Sequence, residues 1–243
     1  MCKLEGEDTN TTCAVGVTES TASSRDARRG LRPTAALQSL RVKPIPFTAA
    51  KRILERNHYL HSMPGGTKLA FGVFFEGRLE GAITFGSGPA NAYKMVSEAS
   101  PSDCLTLSRL WLSDSLPSNS ESRVLGVTLR ALRKHTKTKF VISYADPSQG
   151  HLGTIYQATG WVYTGLSLAM PMFDIGDGKP RHSRSLSHSF GSHSIKHFNS
   201  HGVEVRVIPQ SHKHRYFYFL DKEYKGRLRV EPKSYPKKKG ENG

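Results

Sequence analysis

Two apolar, aromatic-rich runs at 68–75 and 79–85, separated only by Glu76-Gly77-Arg78, predict a β-hairpin. Upstream, 40–47 reads as a short strand interrupted by Pro44 and Pro46. Thr48 is placed to cap a helix running through AAKRILERNHYLH and ending near Pro64-Gly65-Gly66. Downstream, 105–112 alternates as a strand, with Leu105, Leu107, Arg109 and Trp111 on one face. Leu125, Leu129 and Leu132 then recur at helical spacing within SNSESRVLGVTLRALRKH. A short apolar strand at 140–145 ends on Asp146-Pro147, a helix is expected over 150–158, and a strand returns at 161–168. The order strand, helix, hairpin, strand, helix, strand, helix, strand predicts an α/β fold with a mixed sheet.

The texture changes after Met172. Residues 174–200 are rich in Gly, Ser, His and Arg and read as a loop or linker. Strand patterns return at 202–209, where Val203, Val205 and Val207 alternate with Glu204 and Arg206, and at 215–220. The first 36 residues hold few apolar side chains to offset ordering entropy and read as a disordered polar leader. The expected organisation is therefore a leader over 1–36, a catalytic core over 37–172 and a basic extension over 173–243.

Composition adds a partner class. The 243 residues carry a formal charge of +15, which points to a polyanion. Residues 181–243 hold 14 Lys plus Arg against 5 Asp plus Glu, so the excess lies mainly there. Lys213, His214, Arg215, Lys225, Arg227, Arg229 and 237–239, including Lys237 and Lys238, form the expected DNA-contact set. Tyr216, Phe217, Tyr218 and Phe219 lie among them as candidate stacking surfaces. No apolar run reaches membrane-spanning length and no secretory core opens the chain, so no membrane partner is expected. Three cysteines, Cys2, Cys13 and Cys104, support neither a disulfide framework nor a thiolate zinc site, and a cytoplasmic setting follows.

The element order, with HLGTIYQATGWVYTG at its fourth helix and following strand, resembles the GCN5-related N-acetyltransferase fold. A closer resemblance, over roughly 40–240, is to the Mom-type DNA-modification proteins of bacteriophages. It rests on NHYLH at 57–61, LSRLWL at 107–112, SNSESR at 118–123, SYADPSQGHLGTIYQATGW at 143–161 and KHRYFYFLD at 213–221. The resemblance implies a transferase that converts adenine in phage DNA to its N6-carbamoylmethyl form and shields that DNA from host restriction. The partner it implies is double-stranded DNA with a flipped adenine; a homodimer is a separate expectation. Its rivals are an acyl-CoA-dependent N-acyltransferase and a DNA-binding protein without chemistry.

Adenine N6 is a poor nucleophile hidden in the stack, so its modification needs a flipped base, an acceptor for the amine proton and a stabilised donor. Asp146, at a strand end, is the candidate acceptor; an Asp opening an Asp-Pro turn is the plain alternative. Tyr156 matches the acetyltransferase tyrosine that gives a proton to the leaving group, and packing as a core residue is its alternative. His151, on the same predicted helix, is a candidate base or phosphate contact. Tyr59 is a candidate platform for the base. Arg109 needs an anion, either a donor group or a structural carboxylate. His58 and His61, at i and i+3 of a helix, could join Asp146 around iron, which the resemblance also suggests. The phosphate-loop slot of acetyltransferases is replaced here by Leu116-Pro117-Ser118-Asn119-Ser120-Glu121-Ser122. Ser120, Ser122 and Arg123 remain candidates to hold a donor at that helix start. Glu121 would repel a pyrophosphate, so acetyl-CoA is not implied and the donor stays open.

Overall fold

A computed structural model describes residues 39–191 and 194–237. Seven strands form one sheet: β1 (Arg41–Pro44), β2 (Thr67–Phe75), β3 (Arg78–Gly86), β4 (Cys104–Leu112), β5 (Phe140–Ala145), β6 (Val162–Leu166) and, from much later in the chain, β10 (His214–Phe219). Their order is β1-β2-β3-β4-β5-β10-β6, and every neighbouring pair is antiparallel except β4 with β5. Helix α1 (Phe47–Asn57) follows β1, α2 (Ser120–His135) joins β4 to β5, and the short α3 (Thr154–Ala158) precedes β6. The hairpin, the mixed sheet and the long amphipathic helix are as the sequence pattern predicts.

The main core fills the space between sheet and helices. Val73, Ile83 and Phe85 from the hairpin pack with Val124, Leu125 and Leu132 of α2, and Trp161 and Tyr216 extend the cluster toward β6. A second cluster on the other face holds Phe140, Ile142 and Phe217. Both faces of β10 are therefore covered, which corrects the expectation of a DNA-contacting basic strand. Tyr216 and Phe217 are fully buried, and the run that looked like aromatic platforms among cations is an inner strand of the sheet. Each large side chain so buried contributes about 2 kcal/mol, more than its presentation on an exposed arm could return. Residues 214–219 thus belong to the same unit as 41–166, and the boundary expected at 172/173 does not separate the core from an extension.

The expected linker is also structured. Strands β7 (Met172–Asp174), β8 (Arg181–His182) and β9 (Arg206–Ile208) form a small sheet, with α4 (Ser183–Phe190) and α5 (Ile195–Ser200) between them in the chain. Phe173, Leu186 and Phe198 form its core. Ile175, Val203 and Val205 pack against these three, which are too widely spaced to show periodicity against the Ser and His around them. The proposed leader, 1–36, lies outside the described residues.

Candidate active site

Strands β4 and β5 pair for four residues only, from Cys104↔Phe140 to Leu107↔Ser143. Beyond that point β4 follows β3 to Leu112, while β5 ends at Ala145. The strands separate, and a cavity of about 520 Å³ opens in the gap. Its walls are the far half of β4, the end of β5, the 150–153 loop with the start of α3, and the turn that follows α1. Five sequence-designated residues line it together: His58, Tyr59, Arg109, His151 and Tyr156.

Tyr156 is carried inward by a tight approach. Gly153, at φ 75°, caps α3 in the left-handed region, and a side chain there would meet the Tyr216 ring. The Tyr156 hydroxyl accepts a hydrogen bond from Ser143 Oγ at 2.8 Å, which leaves its own proton free to be donated. Burial pushes its pKa up to about 12, against a smaller opposing effect of the Ser143 bond. The group is an acid near neutral pH and not a base. Ser143 went unremarked in the sequence; a serine between Val141 and Ala145 on a buried strand face was the available signal.

Arg109 projects from the half of β4 that has parted from β5. Its Nε donates to the Ser62 carbonyl at 3.2 Å and Nη1 to the Ser108 carbonyl at 2.8 Å, while Nη2 donates to Ser62 Oγ at 3.4 Å. Burial lowers its pKa, and among the described residues no carboxylate lies within ion-pair distance of it. A half-buried guanidinium bonded only to neutral oxygens retains its attraction for an anion.

The turn after α1 differs from expectation. The helix starts at Phe47 behind Pro46, one residue before Thr48, and it stops at Asn57. His58 is extended and His61 has φ 43°, so the two histidines are not neighbours on one helical face. His58 Nδ1 accepts the Leu60 N–H at 3.1 Å, which fixes the neutral tautomer with its proton on Nε2. Burial, then the charges of Arg109, His151 and His61, lower its pKa to about 4. The Tyr59 ring stacks on His58 at 4.4 Å and meets the edge of His151 at 5.4 Å. The His151 ring makes no hydrogen bond among the described residues and remains open to the cavity.

Asp146 is not a lining residue of the cavity. Its Oδ1 accepts from Ser148 N at 3.0 Å, Ser148 Oγ at 2.7 Å and Ser211 Oγ at 2.6 Å, and Lys213 Nζ lies 3.5 Å from Oδ2. Burial acts to raise its pKa, but these donors and the Lys213 charge outweigh burial and bring it down to about 2. The expected proton acceptor is a carboxylate whose Oδ1 ties the β5 end to the chain entering β10, with Oδ2 facing the Lys213 ammonium. Ser211 had no sequence signal.

The three residues expected around iron, His58, His61 and Asp146, are not gathered into a ligand set among the described residues. Asp146 is engaged as described, His58 Nδ1 is occupied, and His61 Nδ1 sits 3.0 Å from the Glu55 carbonyl on the exposed side. Among the described residues no group of three or more His, Cys, Asp or Glu is arranged to hold a metal. The donor trio at the start of α2 is also displaced. Ser120 is buried and donates to the Pro117 carbonyl at 2.5 Å, and neither it, Ser122 nor Arg123 lines the cavity. Glu121 and Asp114 do line it, and two carboxylates make that end a poor seat for a pyrophosphate such as that of acetyl-CoA.

The designated DNA contacts divide in two. His214 is buried with Nδ1 2.8 Å from the Tyr163 hydroxyl, Arg215 donates to Thr164 Oγ1 at 2.8 Å, and Lys213 faces Asp146. These hold the sheet together and correct the expectation of free contacts. Arg227 pairs with Glu98 at 3.2 Å and covers the Tyr224 ring, whereas Arg229, Lys225 and Lys237 are exposed. Lys238 lies outside the described residues.

The family model described as the Mom protein family matches residues 39–237. The chain belongs to the Mom family. A curated relative, the methylcarbamoylase Mom of Escherichia phage Mu, is 29% identical over 214 residues, covering 82% of this chain and 85% of that protein. Among solved structures, a spermidine N-acetyltransferase chimera from Vibrio cholerae has 8% identity and a TM-score of 0.45, over 78% of this chain and 99% of that one. An N-acetyltransferase from Staphylococcus aureus has 11% identity and a TM-score of 0.42, over 74% and 97%. Likenesses of this size do not decide a reaction. Among the described residues no helix is long and apolar enough to cross a membrane.

Proposed function

We propose that this Mom-family protein is a transferase that places a carbamoylmethyl group on N6 of adenine in phage DNA and so protects that DNA from restriction. The observation that carries the reading is the gathering of His58, Tyr59, Arg109, His151 and Tyr156 around one cavity between parted strands. Its 520 Å³ is within the range of small-molecule sites, about 300–1,000 Å³, and suits a flipped base with a small donor group.

In this reading Tyr59 stacks on the base and Arg109 holds an anionic part of the donor. As the bond from N6 to the incoming methylene carbon forms, N6 loses a proton and the donor loses its leaving group. Tyr156 gives its proton to that leaving group, a role suited to a buried acid whose hydroxyl already accepts from Ser143. His151, open to the cavity, takes the N6 proton in place of Asp146. The test is expression of the full chain in a bacterial host, followed by nucleoside digestion and mass analysis. Deoxyadenosine bearing one added carbamoylmethyl group is expected, and wholly unmodified deoxyadenosine would overturn the reading.

A further inference from the structure

The NHYLH turn, which supplies the cavity residues Asn57, His58 and Tyr59, also presents an apolar residue that the site does not use. Leu60 is 44% exposed beside Tyr59, which is 43% exposed and lines the cavity. Single exposed leucines are common on protein surfaces, so exposure alone decides nothing. The way this one is held does.

The turn is pinned at every step. Asn57 Nδ2 donates to the Ile53 carbonyl at 2.9 Å and His58 N to the Leu54 carbonyl at 2.9 Å, fixing the turn to α1. His61 N donates to the His58 carbonyl at 2.7 Å, and the Leu60 N–H is held by the His58 ring. Immediately beyond, Ser62 is bonded through two atoms to Arg109 on β4. The backbone at Leu60 is therefore held in place, and its apolar side chain stays exposed one residue beyond Tyr59 of the cavity wall. Lys51, Arg52 and Arg56 are exposed along the helix that leads into the turn. Lys51 pairs with Glu55 at 3.8 Å, so Arg52 and Arg56 are the cations of this approach best suited to phosphates.

We infer that Leu60 is a wedge: it enters the duplex stack where the target adenine leaves it, while Tyr59 receives the extruded base. The inference rests on the adenine-modification reading above and names how that same site reaches a base buried in duplex DNA. Extruding a base costs a few kcal/mol of stacking and pairing, and an apolar side chain filling the vacancy offsets part of that cost. Leu60 is thus a positioning residue that acts on the duplex and makes no contact with the reacting atoms.

The experiment uses the full chain and a long mixed-sequence DNA duplex, with permanganate oxidation reporting thymines left unpaired opposite an extruded adenine. Duplex affinity is followed by fluorescence anisotropy in parallel. Wild-type protein is expected to create discrete permanganate-reactive thymines. Leu60→Ala should bind the duplex within about threefold of wild type yet reduce that reactivity about tenfold, and Leu60→Phe should restore it. On duplexes carrying a mismatch at those sites, where extrusion costs less, Leu60→Ala should regain wild-type reactivity. A merely structural role for Leu60 would be rescued neither by the mismatch nor by Phe, and that result overturns the wedge. Wild-type reactivity in Leu60→Ala on the paired duplex likewise overturns it and leaves the adenine reading standing. Wild-type protein that binds DNA without exposing any thymine overturns both.

Discussion

Single side chains here differ in what they can still do once folded. Tyr156 keeps a donatable proton, Arg109 keeps an unmet attraction for anions, and Asp146 has committed Oδ1 to three hydrogen bonds and its charge to Lys213. Arg109→Lys retains the charge but loses the planar fork, and modification of DNA adenine should fall about tenfold or more with duplex affinity little changed. Equal modification by that variant and wild type would show that Arg109 only braces Ser62. His58 gives a stability signature. Its pKa is near 4 in the folded chain against 6.5 when free, so between these values the unfolded chain binds more protons. Its contribution to stability is present above about pH 6.5 and is lost as pH falls toward 4. Urea unfolding across this window should show a smaller pH dependence for His58→Gln than for wild type; identical dependence would mean that the ring is not held neutral.

At the scale of elements, the site exists because β4 and β5 part after four paired residues and because α3 begins on a left-handed glycine. Gly153→Ala combines a strained backbone with a clash against Tyr216, and should cost about 2 kcal/mol or more. A lowered thermal midpoint, with loss of Tyr156 activity at temperatures where the fold persists, is the expected pair of effects; an unchanged midpoint would contradict the packing described. The hairpin, α2 and β4 were legible in the sequence because their apolar periods are long and their turn residues unambiguous. The exit of α1 was not: NHYLH continues an acceptable helical pattern, and only the ring of His58 capturing the Leu60 N–H turns it into a loop. The position of β10 was hidden for a different reason. A run of basic residues followed directly by aromatics reads the same on an exposed arm as on an inner strand, and only the chain's return between β5 and β6 distinguishes them. Ser211 and Lys213 reach Asp146 from 65 and 67 positions away, a contact that no local pattern encodes.

For the molecule as a whole, the charge of +15 survives as the argument for a polyanion, although its site shifts. With His214 and Arg215 committed to the sheet, we propose the exposed Arg52 and Arg56 of α1 as phosphate contacts in their place. Replacing both with Ala should reduce the slope of log affinity against log salt by about 2, given about 0.9 per phosphate contact. An unchanged slope would place the DNA elsewhere, for example along Lys225, Arg229 and Lys237. The central claim is that the cavity between β4 and β5 modifies adenine, and Tyr156→Phe tests it with the least disturbance, since one oxygen is removed and Ser143 can turn to the Leu107 carbonyl at 3.4 Å. The decisive measurement is the fraction of carbamoylmethylated deoxyadenosine, by nucleoside mass analysis, in DNA from cells expressing wild-type or Tyr156→Phe protein at matched levels. The account predicts the added group with wild type and a fall of about a hundredfold with the variant. Equal modification by the two proteins would contradict it.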